Sequence, residues 1–335
     1  MQKLYVVIPN WNGAGVIRAC LDSLANQTEK VSVIVVDNGS TDKSVEIIEA
    51  EYPDISLLKH SRNLGFSGGV NAGIKYALGL GAEYIALLNN DAVADSDWAK
   101  ELSVVLDRNP KVGIAASKMI DAKAKTLDST GEFYTIWGLP FPRGRGDSID
   151  DQNENELIFG ASGGASMYRS KMLRHIGLFD NDFFAYYEDV DLSFRAQLAG
   201  WMVAYTPKAV VRHKIGSTSG TIGGFVTYQT LKNLPMLMWK NVPWALMPKV
   251  WPRLTLAYLA ICGRALQRGQ FGPFFKGTLV GTLLLPKKLF QRHKIQNNRR
   301  VSPEYIDSIL VHDLPPDAQS LRTLRAKWWR LRGKS

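Results

Sequence analysis

Five short apolar runs rich in β-branched residues, at 4–8, 32–36, 55–58, 84–88 and 112–116, alternate with stretches of helical periodicity. Ile17, Cys20, Leu21 and Leu24 repeat at i, i+3, i+4 and i+7. Val45 and Ile48 follow Ser40-Thr41-Asp42, a cluster suited to capping a helix, and Val70, Ile74 and Ala77 share one helical face. Each apolar run fits a strand buried on both faces. Strands separated by single helices close right-handed βαβ units. The chain is therefore expected to be α/β, with a mostly parallel sheet flanked by helices. In such a sheet ligands bind beyond the carboxyl ends of the strands.

Those ends are polar. The first run leads into Pro9-Asn10-Trp11-Asn12-Gly13 and the second into Asp37-Asn38-Gly39-Ser40-Thr41-Asp42. The third leads into Arg62-Asn63-Leu64-Gly65-Phe66-Ser67-Gly68-Gly69 and the fourth into Asn89-Asn90-Asp91. Any turn is polar, and Asp37 and Asp42 alone could simply cap a helix; four edges in agreement point to a ligand. The glycines at 65–73 are not G-x-G-x-x-G and follow the third strand rather than the first, which argues against a nicotinamide site. Small residues there can still let a backbone approach a diphosphate.

Glu188, Asp189 and Asp191 sit directly behind Phe183-Phe184-Ala185-Tyr186-Tyr187. Carboxylates beside bulky aromatics have raised pKa values, which suits a proton acceptor near neutral pH. Val190, Phe194 and Leu198 form the apolar stripe of a helix that begins here, with Glu188 and Asp189 in its first turn. Asp191 has a local partner in Arg195, four residues on.

Charge divides the chain. Residues 1–225 carry 22 Lys+Arg against 27 Asp+Glu, and residues 226–335 carry 19 against 4. This predicts an acidic globular domain over 1–225 and a basic, Trp-rich helical extension over 226–335. With 45% hydrophobic residues the chain can bury a core, and wholesale disorder is not expected. Cys20 and Cys262 have neither disulfide-framework nor metal-site spacing and are expected to be reduced and buried, as in a cytoplasmic protein. The apolar run at 4–8 is too short for a signal peptide, so the protein is expected to remain inside the cell.

The ordered set Val-Val-Ile-Pro-Asn-Trp-Asn at 6–12, Val-Val-Asp-Asn-Gly-Ser-Thr-Asp at 35–42, Asn-Leu-Gly-Phe-Ser-Gly-Gly-Val-Asn-Ala-Gly at 63–73, Leu-Leu-Asn-Asn-Asp at 87–91, Gly-Ala-Ser-Gly-Gly-Ala at 160–165 and Tyr-Tyr-Glu-Asp-Val-Asp-Leu at 186–192 resembles glycosyltransferase family 2. The likeness covers residues 3 to about 220 and is nearest to the rhamnosyltransferase-like branch, which builds cell-surface polysaccharides. It implies a GT-A (Rossmann-like) α/β fold with a mixed, mostly parallel sheet flanked by helices, followed here by the basic helical extension, and inverting transfer from a nucleotide-diphosphate sugar. Pro9, Asn10, Asp37, Asn63, Gly69, Asn71 and Asn90 would contact the nucleotide-sugar, Asp37 at the nucleobase and Asn90 near the ribose. Gly163 and Gly164 would floor the donor sugar, although a strand bulge explains such a pair nearly as well. The family's Asp-x-Asp element corresponds to Asn89-Asn90-Asp91, so Asp91 is the implied ligand to Mn²⁺ or Mg²⁺, and Asn89 removes one possible anionic ligand. His213 is the implied second ligand. Asp189 is the implied base, with Glu188 orienting the acceptor or replacing it.

Residues 138–156 lack periodicity and are expected to form a mobile lid that carries Arg143 or Arg145 to the diphosphate. In the extension, Trp239, Trp244 and Trp251 interleave with Lys240, Lys249 and Arg253, and the apolar runs 254–262 and 278–285 fall short of the ~20 residues of a membrane span. Such composition fits helices lying in a membrane interface; the alternative is a helical extension packed on the catalytic domain. A nucleic-acid-binding tail is the competing class, and its basic residues alternate with apolar runs in a way that argues against a nucleic-acid partner. Among enzymes the competitor is a nucleotidyltransferase. The expected protein is a metal-dependent glycosyltransferase, peripheral on the inner face of the cell membrane. It would use a dTDP- or UDP-sugar and a saccharide or lipid-linked acceptor in polysaccharide or lipopolysaccharide synthesis.

Overall fold

The computed structural model describes residues 3–214, 223–316 and 318. The chain divides into two compact units, Met1–Glu132 with Pro142–Thr221 and Phe133–Phe141 with Ile222–Ser335. Residues 133–141, assigned by sequence to the first domain, therefore group with the second unit.

The first unit opens with β1 (Leu4–Asn10), α1 (Ile17–Ala25), β2 (Ser32–Asp37), α2 (Ser44–Glu51), β3 (Ser56–Lys59), α3 (Gly65–Gly79) and β4 (Tyr84–Leu88). These strands lie in the parallel order β3-β2-β1-β4. β3 starts one residue after its apolar run because Ile55 closes a turn onto the Tyr52 carbonyl. There follow β5 (Ala92–Ala94), α4 (Trp98–Arg108), β6 (Val112–Asp121), β7 (Leu127–Ser129), β8 (Glu132–Tyr134), β9 (Pro140–Pro142), β10 (Glu156–Ile158), β11 (Ala165–Arg169), α5 (Ser170–Ile176), α6 (Glu188–Leu198) and β12 (Met202–His213). β11 runs antiparallel between β4 and β6, and β12 runs parallel to β6, so the sheet is mixed.

Alternation along the strands feeds two cores. Leu4, Val6 and Ile8 face α1 and α4 on one side, while Tyr5 and Val7 face α3 and α5 on the other. Gly73 lets α3 lie against the sheet, since a Cβ there would stand 2.4 Å from a Val7 methyl. On α6 the stripe Val190, Phe194 and Leu198 is buried as its spacing predicted. Arg195 pairs with buried Asp191 at 2.9 Å and also donates to the carbonyls of Ile176, Gly177 and Leu178.

The second unit consists mainly of α7 (Phe225–Asn241), α8 (Met247–Gln267), α9 (Phe271–Asn297) and α10 (Pro303–Ile309). Gly277 and Gly281 bring α9 close to α7, where a Cβ would meet the Tyr228 and Lys232 carbonyls. Trp239 packs edge-on against Trp244 and tilted against Trp251, with the Arg292 guanidinium 4.0 Å from the Trp244 ring centroid. Cys20 is buried, but Cys262 on α8 is only half-buried.

Replacing Asp191 by Ala leaves the Arg195 cation buried without its carboxylate. Urea denaturation should register a loss of about 3–5 kcal/mol. A loss below about 1 kcal/mol, the level of an exposed pair, would mean that the ion pair does not hold the 176–178 segment.

Candidate active site

The carboxyl ends of β1, β2 and β4 are tied together by one amide. Asn10, at the end of β1, donates to Asp37 at 3.0 Å and to Ser44 Oγ at 3.0 Å, and accepts from Asn90 Nδ2 at 2.9 Å. Gly13 permits this knot, because a Cβ there would lie 2.2 Å from Asn10 Oδ1 and 2.4 Å from Asn90 Nδ2. Asp37 also accepts from the Gly39 and Ser40 backbone amides. Asp42, just ahead of α2, accepts from Ser44 Oγ, Ser44 N and Ala14 N. Burial would raise the Asp42 pKa, but these hydrogen bonds outweigh it and hold the group below its usual value.

Beyond β4 the chain turns so that β5 pairs antiparallel with the end of β12, setting Ala92 opposite His213. Asp91 Oδ1 thereby lies 3.1 Å from His213 Nε2. The other imidazole nitrogen, Nδ1, is 2.8 Å from Asp128 Oδ2. Asp128 comes from β7, which pairs with β6 alongside β12. Its other oxygen accepts from Arg145 at 2.8 Å. Burial would lower the His213 pKa, but the hydrogen bonds to Asp128 and Asp91 prevail and push it up to about 9. Burial likewise opposes ionisation of Asp128, and the His213 and Arg145 contacts hold it low.

This arrangement fits a divalent cation. A carboxylate oxygen and an imidazole nitrogen converge, and a carboxylate on the far ring nitrogen fixes ring orientation, as in many metal-binding histidines. Among the described residues no cluster of three or more His, Cys, Asp or Glu forms a metal site. A Mn²⁺ or Mg²⁺ held here would therefore draw its remaining ligands from phosphate and water oxygens.

The acidic helix start meets the same edge through two glycines. Gly163 N donates to Asp189 Oδ2 at 2.9 Å, and the Gly164 carbonyl accepts from Asn89 N at 2.8 Å. Asp189 Oδ1 accepts from Val190 N. Burial raises the Asp189 pKa, and those backbone hydrogen bonds only partly offset it. Leading into it, Phe184, Tyr186 and Tyr187 all have positive φ, near 66–69°. Phe184, at φ 66° and ψ −61°, centres a γ-turn closed by Ala185 N donating to Phe183 O at 2.8 Å.

Asn71, Asn63 and Gly69, expected at the nucleotide-sugar, make contacts within the protein. The Asn71 amide donates to Phe179 O and Asn181 Oδ1 and accepts from Phe179 N, so it anchors the segment ahead of the acidic run. Asn63 accepts from Gly65 N at the start of α3, and Gly69 is explained by packing, since a Cβ would meet Asn38 at 2.5 Å. Arg143 is not on a mobile lid. It is buried, donates to Thr130 Oγ1, Gln152 and Glu156, and lies over the Tyr205 ring. Arg145 faces Asp128 instead of an open diphosphate site. The sequence reading missed Asp128 and Glu132. Glu132 is buried, and burial together with the Asp189 charge raises its pKa well above the usual value. Their signal was two carboxylates flanking Ser129-Thr130-Gly131 between apolar Leu127 and Phe133.

The family model described as "Glycosyl transferase family 2" matches residues 5–177. An N-acetylglucosaminyl-diphospho-decaprenol L-rhamnosyltransferase of Mycobacterium tuberculosis is 30% identical over 59% of this chain and 72% of its own length. A poly-beta-1,6-N-acetyl-D-glucosamine synthase of Staphylococcus aureus is 25% identical over 66% of this chain and 52% of its own. In fold, this chain resembles residues 1–349 of S. aureus TarS, solved with UDP, at TM-score 0.54 and 16% identity, covering 94% of this chain and 95% of that one. It also resembles GalNAc-T7, solved with UDP, GalNAc and Mn²⁺, at TM-score 0.57 and 14% identity, covering 72% of this chain and 48% of that one. These likenesses identify the sheet and its helices as a GT-A fold.

In the metal-free protein the raised His213 pKa has a stability consequence. Its pairing contributes fully below the ordinary value of 6.5 and is lost as pH rises through about 9. Unfolding free energies between those limits should therefore fall with pH in the wild type and flatten in Asp128→Asn. Equal slopes would separate Asp128 from His213.

Proposed function

The chain belongs to glycosyl transferase family 2, and on that premise we propose that it transfers a sugar, with inversion, from a nucleoside-diphosphate donor to a lipid-linked or polysaccharide acceptor. Rhamnose from dTDP-rhamnose is the leading donor, supported by the mycobacterial rhamnosyltransferase at 30% identity; a UDP-sugar is the second. The observation that carries the reading is the two-glycine bridge. Gly163 holds the raised-pKa acid Asp189, and adjacent Gly164 holds Asn89, two residues before Asp91.

Asp189 accepts the proton of the acceptor hydroxyl as that oxygen bonds to the anomeric carbon, and the bond from that carbon to the diphosphate breaks. One displacement inverts the centre without a covalent enzyme intermediate. Glu188 orients the acceptor. Asp91 and His213 would hold Mn²⁺ or Mg²⁺, which when bound neutralises charge on the departing diphosphate. Asn10, Asp37 and Asn90 form the nucleoside edge. A lipid-linked acceptor places the reaction at the inner face of the cell membrane, with the protein attached peripherally.

Thermal unfolding with dTDP, UDP, GDP and ADP, with and without Mn²⁺, tests the donor site. A nucleotide at 100 times its Kd stabilises the fold by about 2.7 kcal/mol. A metal-dependent shift with dTDP or UDP is expected; no shift with any nucleotide would count against the reading. Release of nucleoside diphosphate accompanies sugar transfer, whereas pyrophosphate would identify a nucleotidyltransferase.

Asp189→Asn should lower turnover by about 10²–10⁴-fold while nucleotide stabilisation persists, and Asp91→Ala should abolish the metal-dependent part of that stabilisation. Because Asp189 works deprotonated and its pKa is raised, kcat/KM should fall on acidification at a pH above the ordinary carboxylate range. Near-normal turnover in Asp189→Asn would transfer the base role to another group.

A further inference from the structure

The outer faces of α8 and α9 are apolar, and we propose that they dock on the surface of an anionic lipid bilayer. The proposal deepens the acceptor reading above, since a lipid-linked acceptor is met at such a surface, but it stands on features of these helices alone.

On α9 the inward positions are Gly277, Gly281, Lys288 and Arg292, all buried. The opposite side presents Phe271, Phe275, Leu279, Leu283 and Phe290, at steps of four, four, four and seven residues. Leu283 is 69% and Phe290 83% exposed. α8 is apolar on both sides. Val250, Leu254, Ala257 and Ala265 are buried, while Leu256 and Leu259 are about 60% exposed. A surface helix ordinarily turns its polar face outward. Two neighbouring helices that expose several large apolar side chains make a patch of the kind that marks an interaction surface.

Charge selects the occupant. No Asp or Glu occurs between residues 192 and 303, whereas residues 225–297 carry eleven Lys and Arg. Lys276, Lys287 and Lys294 recur at helical spacing along α9 among the exposed apolar positions. A second copy of the chain would bring the same positive charge to the contact. An anionic leaflet brings the opposite charge and an apolar interior for the Phe and Leu side chains. Trp251, half exposed at the start of α8, has the amphipathic ring typical of the headgroup level. No described helix is long and apolar enough to cross a membrane, so docking is in the plane of the interface.

Flotation of the full chain with vesicles of equimolar phosphatidylglycerol and phosphatidylcholine, beside vesicles of phosphatidylcholine alone, tests the proposal. Binding to the anionic vesicles is expected, weakening at least tenfold in high salt and in the double variant Leu279→Glu, Leu283→Glu. Both positions are exposed, so the variant should melt like the wild type. Equal binding to both vesicles, or none, overturns the lipid surface. So does a lipid-independent dimer in analytical ultracentrifugation that the double variant dissolves, which would assign the face to a second copy. So does retention on an oligonucleotide column at the same salt with no flotation. Nucleotide-dependent stabilisation, measured on the same samples, separates the readings: if it persists while flotation fails, only the docking surface is lost.

Discussion

The ladder along β12 is the constraint on which the site depends. Its pairing with β6 carries the second half of the sheet, and its last three residues pair with β5. That register sets His213 beside Asp91, and the neighbouring β6–β7 pairing supplies Asp128 from the other side. Because side chains alternate along a strand, a slip of one residue would turn the imidazole to the opposite face. The same hydrogen bonds that complete the sheet thus set the aim of the imidazole. A buried imidazole between two carboxylates is an electrostatically stable arrangement only if a proton or a metal ion supplies positive charge between them.

The acidic end of the site is held differently, by strain. Three aromatic residues with positive φ precede Glu188, and each such conformation costs on the order of 1–3 kcal/mol. Surrounding contacts offset this. Ser67 N donates to the Phe184 carbonyl, Asn71 ties down Phe179 and Asn181, and the Phe183 ring is fully buried. Gly65 makes the approach possible, since a Cβ there would stand 2.5 Å from that carbonyl. The glycines of α3 serve this contact and the sheet packing.

Legibility followed contact order. The strands, the stripe on α6 and the Asp191–Arg195 pair are encoded within a few residues, so periodicity and spacing were enough to find them. The edges at Asn10, Asp37 and Asn90 were legible because a wound sheet must present its strand ends together. Asp128 and Glu132 were not, because His213, which Asp128 holds, and Asp189, which acts on Glu132, lie many tens of residues away in sequence. Arg143 was misread for the opposite reason. An aperiodic segment looks mobile, yet the side chain of Arg143 is enclosed by Gln152 and Glu156 within that segment and by Thr130 and Tyr205 outside it. Trp239, Trp244 and Trp251, read as interfacial residues, pack against one another, with Trp244 and Trp251 still largely exposed, and further exposed apolar positions lie on α8 and α9.

The charge division of the chain follows from the chemistry each part is suited to. A site for a cation and a general base requires carboxylates, and all those named at the site lie at or before Asp191. Carboxylates on the outer face of α8 or α9 would repel an anionic surface, and none occurs between residues 192 and 303. His213 lies inside that acid-free stretch, so it reaches its carboxylates only across the sheet, at Asp91 and Asp128. A chain that kept its acids in one segment and its surface cations in another could build both features only if long-range strand pairing brought the imidazole back to the acids. That is the arrangement β12 provides.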